Sequence, residues 1–268
     1  MRNWIYTSFL ITLLWTIPIG VEAGIDRDAI ILALPFEEGR GKDAKDISPL
    51  GNHGVLSETA KWAQGKFGMC VRLKNAYVEV ENHPSLSLHN TDFSFAVWIN
   101  FSEEKNWYDL MAHNEAPAID VKKWIWMFAA ARFKFHINDR AIEIAWVESE
   151  FFGFPELDRW YQLALVKQGN RYTHYLDGEI FGEVTDDTPI PDEINHPLTI
   201  GSGPGDRFTQ GFMDEMFITR QPLTQNDIQN HFAGGIQGVL SVELGSKIAT
   251  RWGLIKDAGG KSFPSNLP

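Results

Sequence analysis

The chain contains very little cysteine. Cys70 is the single one among 268 residues, so no disulfide bond can form within the chain. Because it lies in the apolar run FGMCVRL, we expect a buried thiol rather than a reactive one. Core packing or a bound metal ion must therefore supply the stability that disulfide bonds give to other chains.

Positive charge is also in the minority. Lysine and arginine number 24 against 35 acidic residues, which gives a net charge of −11. This balance argues against a nucleic-acid backbone as partner and is compatible with binding divalent cations. The eight histidines are scattered along the chain without the spacing of metal ligands, so a zinc site is not expected.

Apolar runs long enough to cross a membrane are absent after the N-terminus. There, Arg2 provides a positive charge, an apolar stretch follows from Trp4 to Ile17, and a small-x-small motif ends at Ala23. This order predicts a cleavable secretory signal peptide over residues 1–23. A membrane anchor is the alternative, but the run is shorter than the roughly 20 apolar residues that cross a bilayer. We therefore expect an exported chain, extracellular or periplasmic, with no membrane span once the signal is removed.

Short segments rich in β-branched and aromatic residues fill the rest of the chain from Ile30 onward. Gly, Asn, Asp and Pro separate them, and about a dozen such segments predict an all-β sandwich or barrel. In FSFAVWINF, alternate residues from Phe93 to Phe101 share one face, which we expect to be core. In WIWMFAA both faces are apolar, which predicts a strand covered on its second side by a loop or a ligand.

One segment has the signals of a helix. Thr224 is a potential N-cap for residues 223–232, and Gly234 and Gly235 are expected to end the helix. The composition changes after Gly235, where large apolar residues become few. We therefore predict one domain over residues 24–235, followed by a tail or linker over residues 236–268.

The acidic stretch RYTHYLDGEIFGEV, residues 171–184, poses a choice between paired catalytic carboxylates and a hairpin. Asp177 and Gly178 form a turn signal that supplies the two positive-φ positions of a two-residue hairpin loop. A retaining glycosidase needs two carboxylates about 5 Å apart. Glu179 and Glu183 share strand parity, but the turn places them on an exposed hairpin. No catalytic residues are therefore predicted.

Three motifs carry a family resemblance. The first, W-x-x-x-A-x-V-x-x-G-N-x-x-x-x-Y-x-D-G, is formed by Trp160, Ala164, Val166, Gly169, Asn170, Tyr175, Asp177 and Gly178. It resembles the central strands of laminin-G-like, concanavalin A-like jelly-roll domains. LPFEEGRGKDAKDISPLGNHGVL is similar to the opening of that family, and GFMDEMFITRQPLTQNDIQ to its closing strand and short helix. The resemblance implies an all-β, two-sheet antiparallel jelly-roll sandwich with one short C-terminal helix and adjacent first and last strands.

The resemblance also implies one structural calcium ion where the opening loop meets the closing acidic strand. Carried over by position, the ligands are Glu37 or Glu38, Asp46, Asn52 and Asp214, with Glu215 beside them. Calcium takes six to eight oxygen ligands, a mixture of carboxylates and carbonyls. Adjacent acids in an apolar strand point to opposite faces, so one of Asp214 and Glu215 is expected inward and needs a cation or hydrogen bonds. Backbone NH groups are the alternative partner.

Ten tryptophans favour a binding module, because sugar rings stack on exposed aromatic faces. The candidate ligand-binding residues are Trp98, Trp107, Trp124, Trp126 and Trp146, with Asn100, Asp109, Asn114 and Arg132 as polar neighbours. Burial in the core is the competing explanation for at least half of these tryptophans. The preferred interpretation is a secreted, non-catalytic module that binds carbohydrate or a matrix component. A glycoside hydrolase of the same fold and a protein adhesion module are the alternatives, so the expected partner is a glycan or an extracellular protein.

Overall fold

Sixteen β-strands, one α-helix and two short 3-10 helices (Arg27–Ala29 and Pro84–Leu86) were found in the computed structural model, which describes residues 25–114, 122–129, 132–139, 142–148, 155–203 and 207–240. The strands are β1 (Ile30–Leu34), β2 (Asp43–Ala44), β3 (Gly54–Leu56), β4 (Lys61–Gln64), β5 (Met69–Leu73), β6 (Val78–Val80), β7 (Phe93–Phe101), β8 (Trp107–Asn114), β9 (Lys123–Ala129), β10 (Arg132–Asp139), β11 (Ile142–Glu148), β12 (Trp160–Gln168), β13 (Arg171–Leu176), β14 (Glu179–Thr185), β15 (Leu198–Ile200) and β16 (Gly211–Thr219). The helix, α1, occupies residues 225–240. The predicted signal peptide and residues 241–268 lie outside the described residues.

The strands form two sheets. Sheet A has the order β14-β13-β12-β7-β16-β5-β4, with β1 also paired to β16, and sheet B has the order β11-β10-β9-β8-β15-β6-β3-β2. All of the strand pairs are antiparallel. This confirms the predicted two-sheet jelly-roll sandwich. The short strands β2, β3 and β4 carry no alternating pattern long enough to be predicted from the sequence.

The core lies between the inner faces of the two sheets. Alternate residues of β7 from Phe93 to Phe101 all point into it, as predicted. The ring of Phe95 stacks on Trp124 of β9 with the centroids 5.4 Å apart, and Phe93 lies 5.5 Å from Phe135 of β10. Each such side chain contributes about 1.5–3 kcal/mol when it is fully buried. Aromatic packing between the two sheets therefore stabilises a fold in which no disulfide bond can form.

Strand β16 joins the opening and closing parts of the chain. Its first half pairs with β5 and its second half with β1, so the first and last strands are adjacent. A bulge between Asp214 and Phe217 lies where the partner changes, and Glu215 within it has a positive φ of 54°. The bulge breaks the alternation of the strand. Met213 before the pair and Met216 after it both lie in the core, so the bulge places Asp214 and Glu215 together on the outer face of sheet A, where both are buried. The prediction that one of the two acids points inward is therefore wrong.

Helix α1 covers the outer face of sheet A. Its residues Ile228, Ile236 and Val239 are buried in a cluster with Ala96 and Phe217. The predicted helix end at Gly234 and Gly235 is wrong, because helical structure continues to residue 240. The apolar side chains after Gly235 recur at helical spacing and pack on the sheet. The domain boundary at residue 235 itself stays a prediction.

The acidic hairpin is a structural turn. Asp177 and Gly178 have φ values of 50° and 84°, as the predicted two-residue loop requires. The Glu179 carboxylate accepts hydrogen bonds from Gln225 and Gln229 of α1. These contacts tie the hairpin to the helix. Within the described residues, no helix combines the length and the apolar character needed to cross a membrane.

Candidate functional site

The outer face of sheet B, which points away from sheet A, brings two of the predicted ligand-binding residues together. Trp107 of β8 pairs with Ala129 of β9, and Ala129 pairs with Arg132 of β10. Directly paired residues share a face of the sheet. Because the neighbouring Phe128 and Phe133 point into the core, this row points outward. Trp107 and Arg132 therefore flank Ala129 on one face of the sheet, two strand spacings or about 10 Å apart, although Ala129 itself is fully buried.

Trp107 is partly exposed to solvent. Its side chain belongs to the exposed large hydrophobic residues of the described chain, with a relative exposure of 41%. The guanidinium carbon of Arg207 lies 5.7 Å from its ring centroid. A shallow depression of about 600 Å³ adjoins the ring and is lined by Glu104, Lys105, Asn106, Trp107 and Arg207. A partly exposed aromatic residue beside amide, carboxylate and cationic groups is suited to a sugar, which has both apolar and hydroxyl surfaces.

Asp109 holds Arg207 in this position. Its carboxylate is fully buried, and Oδ2 lies 3.1 Å from Nε of Arg207. Burial raises the pKa of Asp109 to about 7, although the nearby Arg207 and Lys123 charges act to lower it. The main chain of Gly203 approaches so closely that a side chain there would collide with the carboxylate. Asp109 is therefore a positioning residue for the guanidinium beside Trp107.

Arg207 was missed by the sequence analysis. It lies in a loop, 98 residues after Asp109 along the chain, and no local pattern predicts that this loop returns to β8. The parallel bridge between Asp109 and Phe208 and the hydrogen bond from Thr209 Oγ1 to the Asp109 carbonyl fix the loop there. Only the tertiary fold brings these groups together.

Two of the predicted tryptophans lie on the inner face of sheet B. Trp124 and Trp126 have exposures of 2% and 1% and pack on Phe95 at centroid distances of 5.4 and 5.6 Å. They cannot offer an open stacking surface, so that prediction is corrected. Both are core residues, because the register of β9 directs them toward sheet A.

Trp98 is also buried, but on the outer face of sheet A. Its ring stacks on Phe232 of α1 with the centroids 5.2 Å apart, and Lys66 Nζ lies 4.3 Å from the ring. Its prediction as a ligand-binding residue is corrected, because the helix occupies the place of a ligand. The main chain of Trp146 pairs with His136 in sheet B, and its side chain lies outside the described part of the chain.

The predicted metal ligands fall into two separate groups. In the first group, each oxygen of the buried Asp46 carboxylate accepts two hydrogen bonds. Oδ1 accepts from the N–H groups of Ala33 and Ser48 at 2.8 and 2.9 Å, and Oδ2 from Ser48 Oγ and the N–H of Asn52 at 2.6 and 2.7 Å. The Asn52 side chain donates to the Ile31 carbonyl. Asp46 and Asn52 therefore hold the opening loop on β1, which corrects their prediction as calcium ligands.

The second group, Glu37, Asp214 and Glu215, forms an acidic cluster at the β16 bulge. Asp214 Oδ2 accepts from the N–H of Phe67 at 2.9 Å, while its buried Oδ1 has no hydrogen-bond partner. Glu37 Oε2 accepts from the N–H of Met69 at 3.2 Å. Burial, with further effects from Glu215 and Glu37, raises the pKa of Asp214 to about 8. The cluster also contributes to the high pKa of the buried Cys70 thiol, which burial raises to about 12.

The acidic cluster meets part of what calcium requires. Among the described residues, no group of three or more His, Cys, Asp or Glu side chains is placed to hold a metal ion. An ion here would therefore be bound by two carboxylates, those of Glu37 and Asp214, and completed by main-chain carbonyls and water. Gly65 and Gly68 allow both carboxylates to approach their loop closely. The unpaired Oδ1 and the repulsion between like charges fit a bound cation.

Two packed antiparallel sheets with this strand order define a jelly-roll sandwich. The chain belongs to the concanavalin A-like lectin/glucanases superfamily, whose laminin G model matches residues 73–229. This confirms the family that the three motifs indicated. No curated protein sequence matches the chain significantly.

Solved structures with the same fold include several binding domains. The binding domain of Paraclostridial Mosquitocidal Protein 1 has a TM-score of 0.62 and 15% identity, and the match covers 77% of this chain and 52% of that one. Domain 4 of AbnA, a GH43 extracellular arabinanase from Geobacillus stearothermophilus solved with arabinotriose, has a TM-score of 0.58 and 16% identity, with coverages of 75% and 97%. The receptor binding domain of botulinum neurotoxin D has a TM-score of 0.56 and 13% identity, with coverages of 77% and 53%. The chain thus spans about half the length of the toxin domains, and these identities show a shared fold alone.

Proposed function

We propose that this protein is a secreted, non-catalytic carbohydrate-binding module that holds a glycan on the outer face of sheet B at Trp107. The observation that carries the proposal is the exposed indole of Trp107, with Arg207 held beside it by the buried Asp109. The complex of AbnA domain 4 with arabinotriose supports it, because that domain has the same fold.

The proposed binding mode follows from the shape and the lining residues of the depression. The apolar side of a sugar ring stacks on the Trp107 indole, and its hydroxyls exchange hydrogen bonds with Arg207, Asn106 and Glu104 at the edge of the depression. Because the depression is shallow and open, it suits units within a polysaccharide chain better than a single enclosed sugar. Export, with residues 1–23 as the signal peptide, would place the module where such polymers occur.

The carboxylates near Trp107 favour binding over hydrolysis. Glycosidases place two carboxyl groups about 5–9.5 Å apart across the scissile bond. Here Asp109 is buried and engaged with Arg207, and Glu104 is the one carboxylate among the described residues that line the depression. A second free acid for general acid or nucleophilic catalysis is therefore not expected.

A panel of plant, microbial and animal polysaccharides in affinity electrophoresis tests the proposal. Wild-type protein should be retarded by at least one of them, and Trp107→Ala should weaken that binding at least about tenfold, equivalent to about 1.4 kcal/mol. Ile180→Ala, which changes an exposed apolar residue of sheet A, is the matched control and should bind normally. Equal binding by the Trp107 variant would overturn the site, and release of reducing ends would establish a hydrolase. Retention of an extracellular protein without any glycan would support adhesion.

A structural calcium ion bound by Glu37 and Asp214 is also part of the proposal. Its support is the buried, unpartnered Oδ1 of Asp214 and the mutual repulsion of the acids around it. The ion would neutralise Asp214 and connect the opening segment to β16, in a chain that has no disulfide bond for that purpose.

A further inference from the structure

A second cavity lies apart from Trp107, where β8 ends and β9 begins. Its volume is about 340 Å³, and its wall includes His83, His113, Trp124, Asp192, Glu193 and Asn195. Small-molecule sites have volumes of about 300–1,000 Å³, so the cavity has room for one or two sugar units. Because it is more enclosed than the depression at Trp107, it suits a compact ligand. We call it the end pocket.

The floor of the end pocket is rigid and aromatic. His113 and Trp124 are paired across β8 and β9, and each has an exposure of 2%. Their rings meet edge to face with the centroids 5.8 Å apart. Behind them, Trp124 stacks on Phe95 of the core. A ligand would therefore meet a preformed surface, which reduces the entropy cost of binding.

His113, which lines this cavity, has a hydrogen-bond acceptor without a partner. Its Nε2 lies 2.8 Å from the carbonyl oxygen of His196, and because a carbonyl can only accept, Nε2 must carry the proton. Burial lowers the pKa of His113 to about 4, so the ring is neutral near pH 7. Nδ1 is therefore an unprotonated acceptor, and it is buried without a hydrogen-bond partner. Such a buried, unpaired acceptor is unfavourable unless a ligand donates to it.

The rim of the end pocket mixes donors with acceptors. His83 Nδ1 accepts the N–H of Ser85 at 3.2 Å, so in the neutral ring the proton lies on Nε2, which can donate. The Asp192 carboxylate lies 3.2 Å from Lys122 Nζ, and Glu193 and Asn195 add a carboxylate and an amide. The carboxylates of Asp192 and Glu193 repel an anionic ligand. Lys122 and the His83 donor partly cancel the attraction that these carboxylates would exert on a cationic ligand. The combination matches a neutral ring with several hydroxyl groups.

We propose that the end pocket binds the terminal unit of a neutral glycan, with one sugar hydroxyl donating a hydrogen bond to Nδ1 of His113. The sugar ring lies in the pocket beside the wall formed by His113 and Trp124, without stacking on the buried indole, and the other hydroxyls contact the rim. This site is separate from the Trp107 surface and does not depend on it. A module with both sites would hold the end of a chain in one place and its internal units in another.

Neutral monosaccharides and disaccharides, including arabinose, galactose, glucose and mannose, are the probes for the test. Their titration into full-length protein, followed by NMR or calorimetry, should show saturable binding of at least one. Asn195→Trp, which fills the pocket from an exposed position, and His113→Leu, which removes the acceptor, should each weaken that binding at least about tenfold. Ile180→Ala, at an exposed residue of sheet A, is the control and should leave it unchanged. The effect of Asn195→Trp distinguishes failure here from failure of the Trp107 site, because Asn195 lines the end pocket and not the depression at Trp107.

A spectroscopic measurement separates a direct contact from a structural role. In wild-type protein, the ¹⁵N resonance of His113 Nδ1 should shift on sugar binding, since hydrogen bonding changes the shielding of an unprotonated nitrogen. No saturable binding of any neutral sugar, or normal binding by Asn195→Trp, would overturn the proposal. Binding of tetramethylammonium in place of sugars would also overturn it, because it would indicate a site for cations.

Discussion

The carboxylate of Asp109 and the Nε atom of Arg207 lie 3.1 Å apart, and this pair connects a fully buried acid with the surface beside Trp107. Arg207 remains partly exposed, with 28% of its side chain accessible. The guanidinium therefore has two roles, since it stabilises a buried charge and faces the indole. A change at Arg207 should affect both stability and glycan binding.

Arg207→Gln should destabilise the protein by about 1–3 kcal/mol at pH 8, because it leaves a buried carboxylate without its cation. The pKa of Asp109 is already raised from 3.8 to about 7, so ionisation of this carboxyl is less favourable in the folded than in the unfolded chain. Stability is therefore lost as pH rises through that value, and the loss caused by the variant should be smaller at pH 5. Urea unfolding at both pH values measures this. Adding Asp109→Asn should restore stability at pH 8, and an equal loss at both pH values would contradict the role given to Arg207.

Asp46→Ala should loosen the opening loop. It removes the acceptor of four hydrogen bonds, three of them from main-chain N–H groups, and the buried donors would be left without partners. We expect a loss of about 2–4 kcal/mol in the free energy of unfolding. Asp43→Ala, at an exposed acid in the same segment, is the control and should have little effect. Calcium should not change the size of the loss, since Asp46 has no free oxygen for a metal.

The strands and the family could be predicted from the sequence because both depend on local signals. Alternation in β7 and the turn at Asp177 and Gly178 depend only on neighbouring residues, and each is found in the structure. The predicted end of α1 was wrong because it depends on contacts with residues that are distant along the chain. Gly235 would end an isolated helix, but the packing of Ile236 on sheet A and its N–H bond to Glu215 continue it.

The site depended on information that the sequence does not display. The sequence does not distinguish buried from exposed tryptophans among the ten. The register of each strand decides whether its tryptophan points into the core or outward. The bulge between Asp109 and Met111 shifts the alternation of β8, so period-two counting cannot place Trp107 and His113 on their faces reliably. The contact between Asp109 and Arg207 spans 98 residues. The sequence likewise does not show that the Asp46 carboxylate accepts four hydrogen bonds, so Asp46 resembles a metal ligand in the sequence alone.

Asp214→Asn tests the calcium site. In metal-free protein the pKa of Asp214 is raised to about 8 from an ordinary value of 3.8, so its contribution favours folding at low pH and is lost as pH rises toward 8. Calcium should reverse that loss at pH 8 and raise the free energy of unfolding by about 1–3 kcal/mol at saturating concentrations. Asp214→Asn should be insensitive to calcium and less sensitive to pH in this range.

Thermal unfolding with calcium or a chelator provides the measurement for that comparison. Asp28→Asn, at an exposed acid near the start of the domain, should respond to calcium as wild type does. An identical calcium response in the Asp214 variant would show that the ion binds elsewhere, and no response in wild type would show that this acidic cluster binds no calcium.

Gly234→Ala and Gly235→Ala should have opposite effects, although the two residues are adjacent in α1. Gly235 has a φ of 59°, and a Cβ there would lie 2.5 Å from the Glu215 Cδ atom, whereas a Cβ at Gly234 would meet nothing within 4 Å. Alanine at position 235 should therefore cost at least about 2 kcal/mol, from backbone strain and the displaced Glu215 carboxylate. Alanine at position 234 should be neutral or stabilise the helix by up to about 1 kcal/mol. Urea unfolding gives both values, and hydrogen exchange at Ile236 should increase only in the Gly235 variant, because its N–H loses the bond to Glu215. If both variants were equally stable, the helix would not be anchored at this residue.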